Sequence, residues 1–547
     1  MAIGLNERFE YTGRPIRRLK LLELRSDRID FLKNAILPWH GTVLMASLLE
    51  QEGYQIEALV EGVSHFTDDD LVDCDALLVH LTAGNIERTA RLVERVKARA
   101  DIPVIGGGGL GKVVPSAVAP ACDVVVRGEG EDTTVELLDA MNHRTDIREV
   151  AGLSFRHGGE LCHTPSRAFT RRLEVPSRME IIRDYRPLSV AEQALRRRFF
   201  YMTVEASRGC PFACKFCITP DLYGSYRSAG VDRVIADLRD RLRYSRRVWF
   251  IDNLFVVKRE FTVALLTRMI DEGLGERGNY TCFLRVENAR DEEMLPLLRR
   301  AGFTNIYVGF ESLSASTQVE WNKSFRTREM AECLQTYHRH GLRVQGSFIF
   351  GSDEHELGDI EATLRWAQEN DVDYVSFYVL IPTQMAENAC IPRRRMLAPS
   401  WDYVNGNYVT HFPLRMPPSV LQTGIRDALF RFYNPLGLPR RMARIGSVNN
   451  PRAFAASSTA IYATLKIHGR DLDEYTSYLR TIERPFYDAA GHLLEDRLPV
   501  DGLVPDMPFL DSPDAAVRVI KSKSAAVAAP KLARLGKFQA AQCSEPT

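Results

Sequence analysis

The sequence predicts an α/β protein in three parts: an open, doubly wound parallel sheet, a partial barrel of six β/α units, and a mostly helical C-terminal region. Three observations carry this prediction. Short, near-continuous apolar runs alternate with amphipathic stretches from Leu19 to about Met141, as in a parallel sheet covered by helices on both faces. The alternation lapses in a polar, arginine-rich stretch and restarts at Met202 for six further units. After about Cys390 the rhythm is lost, and Pro, Arg and aromatic residues become frequent. The 547 residues suffice for several domains, expected at 1–170, 200–390 and 391–510, with a linker at 171–199 and a disordered tail at 511–547.

Composition narrows the function classes. Lys+Arg and Asp+Glu number 71 each and cancel, so a nucleic-acid-binding protein is not expected. Ten cysteines are too few for a disulfide-built scaffold of this length. Charges scattered through the first 25 residues argue against a secretory signal. The longest apolar stretches, such as Val375–Pro382, fall far short of the ~20 residues of a membrane helix. The expectation is a cytoplasmic protein with reduced thiols and no transmembrane segment.

Within the first series, Leu19–Leu24, Ile56–Val60, Ala76–Leu81, Ile102–Gly109 and Asp123–Glu131 read as strands or strand-to-turn segments. Thr42–Glu52, Ile86–Arg99 and Asp132–Met141 read as helices from apolar residues at three-to-four spacing. Two glycine clusters, Gly106–Gly109 and Gly128 with Gly130, fall at strand ends, where ligands bind in such sheets. They equally suit tight strand-to-helix turns. Leu153–His163 reads as a hairpin turning at Gly158–Gly159. The arginine run Arg196–Arg198 in the connector reads as solvated surface.

In the second series the strands are Thr203–Ser207, Val248–Asp252, Tyr280–Val286, Ile306–Glu311, Val344–Gly351 and Tyr374–Pro382. Helices at Val231–Leu242, Phe261–Glu272, Glu292–Arg300, Arg328–His340 and Ile360–Glu369 separate them. Six such units make an incomplete version of the eight-unit barrel. Helices are expected again over Val420–Tyr433 and Ser457–Ile467.

Immediately after the first barrel strand, Cys210, Cys214 and Cys217 lie within eight residues, spaced C-x3-C-x2-C. A structural zinc site wants four ligands, and no fourth Cys or His follows at suitable spacing. A disulfide would leave one thiol over. Three close thiolates suit an iron–sulfur cluster, and three protein ligands for four irons leave one iron open to a substrate or cofactor. The other seven cysteines are scattered and read as ordinary thiols.

The loop Arg208-Gly209-Cys210-Pro211-Phe212-Ala213-Cys214-Lys215-Phe216-Cys217 resembles the CxxxCxxC loop of radical S-adenosylmethionine (SAM) enzymes. The resemblance implies a [4Fe-4S] cluster whose open iron chelates SAM, and reductive cleavage of SAM to a 5′-deoxyadenosyl radical. It places Phe216 against SAM. It also places Asp252 and Asn253, where relatives carry Gly-Gly-Glu, near the SAM amino group, and Arg285 near its carboxylate. Gly309-Phe310-Glu311-Ser312 is similar to the family's Gly-Ile-Glu-Ser and places Glu311 and Ser312 near SAM. Ser347–Glu354 resembles the G-x-I-x-G-x-x-E pattern bordering adenine, with Ile349, Gly351 and Glu354 carrying over.

A flavodoxin- or Rossmann-like sheet ahead of such a barrel resembles the cobalamin-binding subgroup, in the branch of hopanoid methylases and the magnesium-protoporphyrin ester cyclase. Gly106, Gly107 and Gly108 match its Gly-Gly turn, and Arg127-Gly128-Glu129-Gly130-Glu131 matches its Arg-Gly-Glu-Gly-Glu. The D-x-H-x-x-G motif is absent, which leaves His80, Thr82 and Asn85 near the lower face of the corrin. The segment from Trp401 to Pro413 looks like the C-terminal extension of these relatives, with Tyr403, Tyr408 and His411 as candidate lining residues. The resemblance implies a C-methyltransferase: the radical abstracts hydrogen from a small-molecule or lipid substrate, which takes the methyl group from methylcobalamin. A one-electron donor such as a flavodoxin or ferredoxin would serve it. An oxidative cyclase or ring-rearranging enzyme and a non-catalytic iron–sulfur or corrin-binding protein are the alternatives.

Overall fold

A computed structural model describes residues 4–28, 38–185, 201–323, 325–381, 391–397, 400–444, 451–499 and 503. Arg196–Arg198, Cys390, Cys543 and the expected tail lie outside them.

The first module is a seven-stranded sheet in the order β2-β1-β3-β4-β5-β6-β7. Its strands are β1 (Arg18–Glu23), β2 (Gln55–Val60), β3 (Ala76–His80), β4 (Val104–Gly107), β5 (Val124–Val126), β6 (Leu153–His157) and β7 (Glu160–His163). Strands β1 to β5 are parallel, and the β6–β7 hairpin closes one edge in antiparallel pairing. Gly158 and Gly159 have φ of 59° and 89°, the left-handed pair that a two-residue hairpin turn requires. Side chains alternate between two cores: Leu21, Leu78, Ile105 and Val124 join one, Leu22, Leu77, Val79, Val104 and Val125 the other. Both faces are therefore buried, which explains the unbroken apolar runs. Helices α1 (His40–Gln51), α2 (Ile86–Lys97) and α3 (Gly130–His143) cover them.

The second sheet has six parallel strands in sequential order: β8 (Met202–Val204), β9 (Arg247–Phe250), β10 (Asn279–Leu284), β11 (Phe303–Glu311), β12 (Arg343–Phe350) and β13 (Tyr374–Val379). Helices α4 (Val231–Leu242), α5 (Arg259–Asp271), α6 (Met294–Arg300), α7 (Thr327–Arg339) and α8 (Leu357–Glu369) connect them. Strand β8 ends earlier than expected. Ala206 N–H is taken by Asp252 at 3.1 Å, and Ser207–Arg208 pair instead with Arg227–Ser228.

On β12, Val344, Gly346, Phe348 and Phe350 are buried while Arg343, Gln345, Ser347 and Ile349 are half-buried. Phe348 and Phe310 meet Trp366 of α8 edge-on. The buried set thus faces the helices and the half-buried set faces the barrel lumen.

The three long helices of the C-terminal region are α9 (Pro418–Tyr433), α10 (Pro451–Ile467) and α11 (Gly469–Glu483), of which the sequence pattern does not signal α11. The region covers the open edge strand β13: the Tyr433 hydroxyl donates to Val375 O at 2.8 Å and accepts from Val375 N–H at 2.9 Å, and Gly406 O accepts from Val379 N–H at 2.8 Å. These contacts satisfy edge groups that would otherwise invite strand addition. Among the described residues no helix is long and apolar enough to cross a membrane.

Candidate functional site

The cysteine loop leaves β8 through Gly209, whose φ is 82°. A Cβ there would meet the carbonyls of Gly224 and Ser225 within 2.8 Å, so glycine alone suits this crossing. Asn253 braces the loop, accepting from Gly209 N–H at 3.1 Å and donating to Thr219 Oγ1 at 3.2 Å. Across the mouth, Trp321 O accepts from Lys215 N–H at 3.1 Å, and Asn322 donates to Ala213 O at 3.1 Å.

Burial pushes the Cys210 and Cys217 thiols up, and the neighbouring Cys214 pushes each further. The three side chains thus lie within one another's electrostatic reach. Arg285 and Lys323 act in the opposite sense on Cys210, favouring the thiolate that metal binding requires. Arg285 Nη1 stands 3.8 Å from Cys214 Sγ, its guanidinium lies 3.8 Å over the ring of Phe212, and Glu287 holds it at 2.8 Å. Among the described residues no three His, Cys, Asp or Glu side chains converge as the ligands of a single metal ion do. A cluster spreads its thiolates over separate irons, and three thiols on one braced loop suit that demand.

Phe216 and Ile349 pack against one apolar cluster of Trp321, Leu380 and Ile391, with Phe216 5.2 Å from Trp321. At the end of β11 the β11–β12 register shifts between Gly309 and Glu311, and Glu311 has φ of 66°. A bulge followed by a left-handed non-glycine residue is the kind of strain that sites retain, because it re-aims a side chain. Glu311 is buried and ion-paired with Lys323 at 2.8 Å. Burial holds His355 down at about 4, so its ring is neutral. Ser352 N–H donates to its Nδ1 at 3.4 Å, so Nε2 carries the proton and donates to Ser312 Oγ at 3.0 Å. Ser314 N–H also donates to that oxygen at 3.1 Å, which leaves the Ser312 proton free to be given away.

Several expected residues are engaged by neighbouring groups. Asp252 is buried, accepting from Ala206 N–H and from Ser207 Oγ, and burial raises it to about 7. It fastens the exit of β8. Gly351 O accepts from His411 Nε2 at 2.7 Å, which ties the expected adenine-bordering turn to the C-terminal region. Glu354 points outward to Arg415 at 3.0 Å. Tyr408 and His411 are fully buried, Tyr408 bonds Asp471, and Tyr403 stacks on Tyr475 at 4.5 Å. Tyr408 and His411 thus pack the region's interior, while half-buried Tyr403 carries Arg28 of the first module 4.6 Å over its ring.

In the first module, Gly108 has φ of 143° and its Cβ would strike Leu81 O. Cβ atoms at Gly106 and Gly130 would crowd Cys122 at 2.6 Å and Met45 at 2.9 Å. Gly107 is open, with only Val126 Cβ at 3.9 Å. The cavity beside Gly128 measures about 10 Å3, enough for one water. Glu129 is held in an ion-pair network. Its carboxylate takes Arg227 at 2.7 and 2.9 Å, Thr170 N–H at 2.7 Å and Arg208 at 3.5 Å, and Arg208 reaches Glu131 at 2.6 Å and Glu205 at 2.8 Å. This buried network clamps the module to the start of the cysteine loop. Thr82 N–H bonds Asn85 Oδ1 at 2.8 Å and closes a short turn, while His80 sits at the carboxyl end of β3.

Sequence reasoning missed the barrel lumen. Trp249, Phe283 and Tyr307 pack ring to ring at 4.9–5.5 Å, with Tyr201, Ile251 and the module's Trp39 against them. Gln345 donates to Ser376 at 2.7 Å on the same inner face. For Gln345 and Ser376 the signal was present as alternation along β12 and β13. A cleft of about 810 Å3 among α9–α11, lined by Arg426, Lys466 and Asp473, shares no residue with the cysteine loop.

Residues 204–384 match the radical SAM superfamily. An uncharacterized methyltransferase of Pyrococcus horikoshii is 30% identical over 290 residues, covering 52% of this chain and 61% of that protein. The anaerobic magnesium-protoporphyrin IX monomethyl ester cyclase of Cereibacter sphaeroides is 26% identical over 326 residues, covering 58% and 51%. The chain thus spans about half to three-fifths of the length of these two relatives. Among solved structures, the cobalamin-dependent SAM radical enzyme OxsB, with aqua-cobalamin and SAM bound, has a TM-score of 0.60 at 16% identity, covering 85% of this chain and 72% of that one. At that identity the likeness establishes the fold.

Proposed function

We propose, from the premise that residues 204–384 are a radical SAM domain, that the chain is a cobalamin-dependent C-methyltransferase acting on a small molecule or lipid. The observation that carries this reading is the meeting of two carboxyl-terminal sheet edges at the cysteine loop. Pro38 and Trp39, which follow β1, reach Thr203 and the lumen aromatics, and Arg208 joins the loop to Glu129 and Glu131. A ligand on each edge would then share one mouth.

When bound, the cluster with SAM supplies hydrogen abstraction and the corrin supplies the methyl group. The chain's own residues bind and orient. Cys210, Cys214 and Cys217 would hold the cluster, with Arg285 and Lys323 offsetting the thiolate charge. Phe216 and Ile349 would cover SAM on one side, while Glu311 and Ser312 offer it an acceptor and a donor. The lumen aromatics exclude water from the reacting carbon, and Gln345 and Ser376 give the substrate polar contacts that fix its position. An electron donor of the flavodoxin or ferredoxin class would reach the loop where Phe212 is exposed.

The test is anaerobic reconstitution with iron, sulfide and cobalamin, followed by incubation with SAM deuterated in its methyl group, a reductant and cell extract. Deuterated methyl in a new product together with 5′-deoxyadenosine is the expected result. Deoxyadenosine without a methylated product would shift the reading to a cyclase, as in the Cereibacter sphaeroides relative. No SAM cleavage, or cleavage surviving Cys214→Ala, would leave a non-catalytic binding protein.

A further inference from the structure

Three side chains from separate segments form a hydrogen-bond relay where the strand order of the first sheet reverses. Glu23 ends β1, His80 ends β3, and the two are register partners. Thr42, in the first turn of α1, lies between them. Its Oγ1 donates to Glu23 Oε2 at 2.6 Å and meets His80 Nδ1 at 3.0 Å. Glu23 also accepts Trp39 N–H at 3.1 Å. A carboxylate only accepts, and a hydroxyl has a single proton. The Thr42 proton goes to Glu23, so the Thr42 oxygen accepts from Nδ1–H and the imidazole keeps its lone pair on Nε2.

The rest of the surroundings leave that nitrogen available. Among the described residues Nε2 has no hydrogen-bond partner, and the His80 side chain keeps 20% of its exposure while that of Glu23 keeps 5%. Asn85 holds the His80 backbone by donating to its carbonyl at 3.0 Å. The register partner of His80 on β4 is Gly107, the one glycine of its turn whose Cβ position is open. Trp39 flanks the ring edge-on at 6.4 Å.

We propose that His80 ligates the cobalt of the corrin through Nε2, with Thr42 and Glu23 fixing its tautomer and orientation. The proposal rests on the cobalamin reading above and names the protein ligand at that site. The lone pair of Nε2 forms the Co–N bond as the cofactor's own base leaves the metal. A metal-bound histidine commonly has its second nitrogen held by a carboxylate. Here a hydroxyl stands between the two.

The whole chain, made with nitrogen-15 histidine and loaded anaerobically with cob(II)alamin, is read by electron paramagnetic resonance. The cobalt lines are expected to split into doublets in labelled protein and into triplets in unlabelled protein, since the two isotopes differ in nuclear spin. H80Q should retain the corrin and lose the doublets. T42V, which cuts the relay at nearly constant volume, should lower the ratio of histidine-bound to unbound cobalt about tenfold. Triplets persisting in labelled protein, or unsplit lines, would overturn the assignment while leaving the corrin reading intact. A chain that takes up no cob(II)alamin would overturn both. The labelled spectrum decides even if a variant fails to fold.

Discussion

Replacing Asp252 with Asn should make the apo chain more stable as pH rises. Burial lifts this carboxyl to about 7, against about 3.9 in an unfolded chain. Between about pH 4 and 7 the folded protein therefore holds a proton that the unfolded chain has released. Stability from this group is complete below about pH 4 and is lost as pH climbs through 7. Three units at about 1.4 kcal/mol each cap the loss at about 4 kcal/mol. D252N keeps an acceptor for Ala206 N–H and presents an amide donor to the Ser207 oxygen, so the exit of β8 stays fastened at every pH. The assay is urea unfolding of both proteins from pH 5 to 8, followed by tryptophan fluorescence, since Trp249 lies on the adjoining strand β9. The variant's margin over the parent should widen by a few kcal/mol across that range. Parallel profiles for the two proteins would refute the reasoning, because they would mean that Asp252 is charged in both states.

Four further outcomes follow from the same geometry. Arg208→Met leaves Glu129, Glu131 and Glu205 buried with one cation fewer, and should cost about 3–5 kcal/mol in urea unfolding at pH 7. Gly108→Ala, with its left-handed φ and a Cβ against Leu81 O, should cost about 3 kcal/mol. Gly107→Ala should stay within about 1 kcal/mol of the parent by the same measurement. Phe216→Ala should leave the iron content unchanged and weaken SAM binding about tenfold by calorimetry on reconstituted protein, the worth of a half-buried aromatic side chain.

Local signals were legible in the sequence and distant pairings were not. The doubly wound sheet and the six barrel units could be read because each strand is apolar on both faces or alternates, and each helix is amphipathic within its own span. The cysteine triplet could be read because its three ligands share one loop. The ion pairs of Glu129 were not legible because its partners, Arg208 and Arg227, lie 79 and 98 residues along the chain, and nothing near Glu129 announces them. The Glu23–Thr42–His80 relay is hidden for the same reason. His80 alone could be singled out, and Glu23 and Thr42 are ordinary residues until the sheet register brings them to it. Asp252 was a candidate through the family resemblance at the end of the second barrel strand, and His411 as part of the C-terminal extension. In the fold, one fastens the backbone and the other packs the C-terminal region.

The two modules share one continuous core. Leu21, Val60 and Ile105 of the first sheet belong to the same buried cluster as Val204, Phe250, Ile306 and Val344 of the second. A chimera that joined this barrel to another protein's first module at the connector would therefore cut through packed interior, exposing apolar surface on both halves. Exchange between relatives should succeed only when both modules travel together, and an isolated barrel should aggregate instead of behaving as a free-standing catalyst. Recombination within such a lineage would then vary the C-terminal region and the lumen while inheriting the paired modules as one unit.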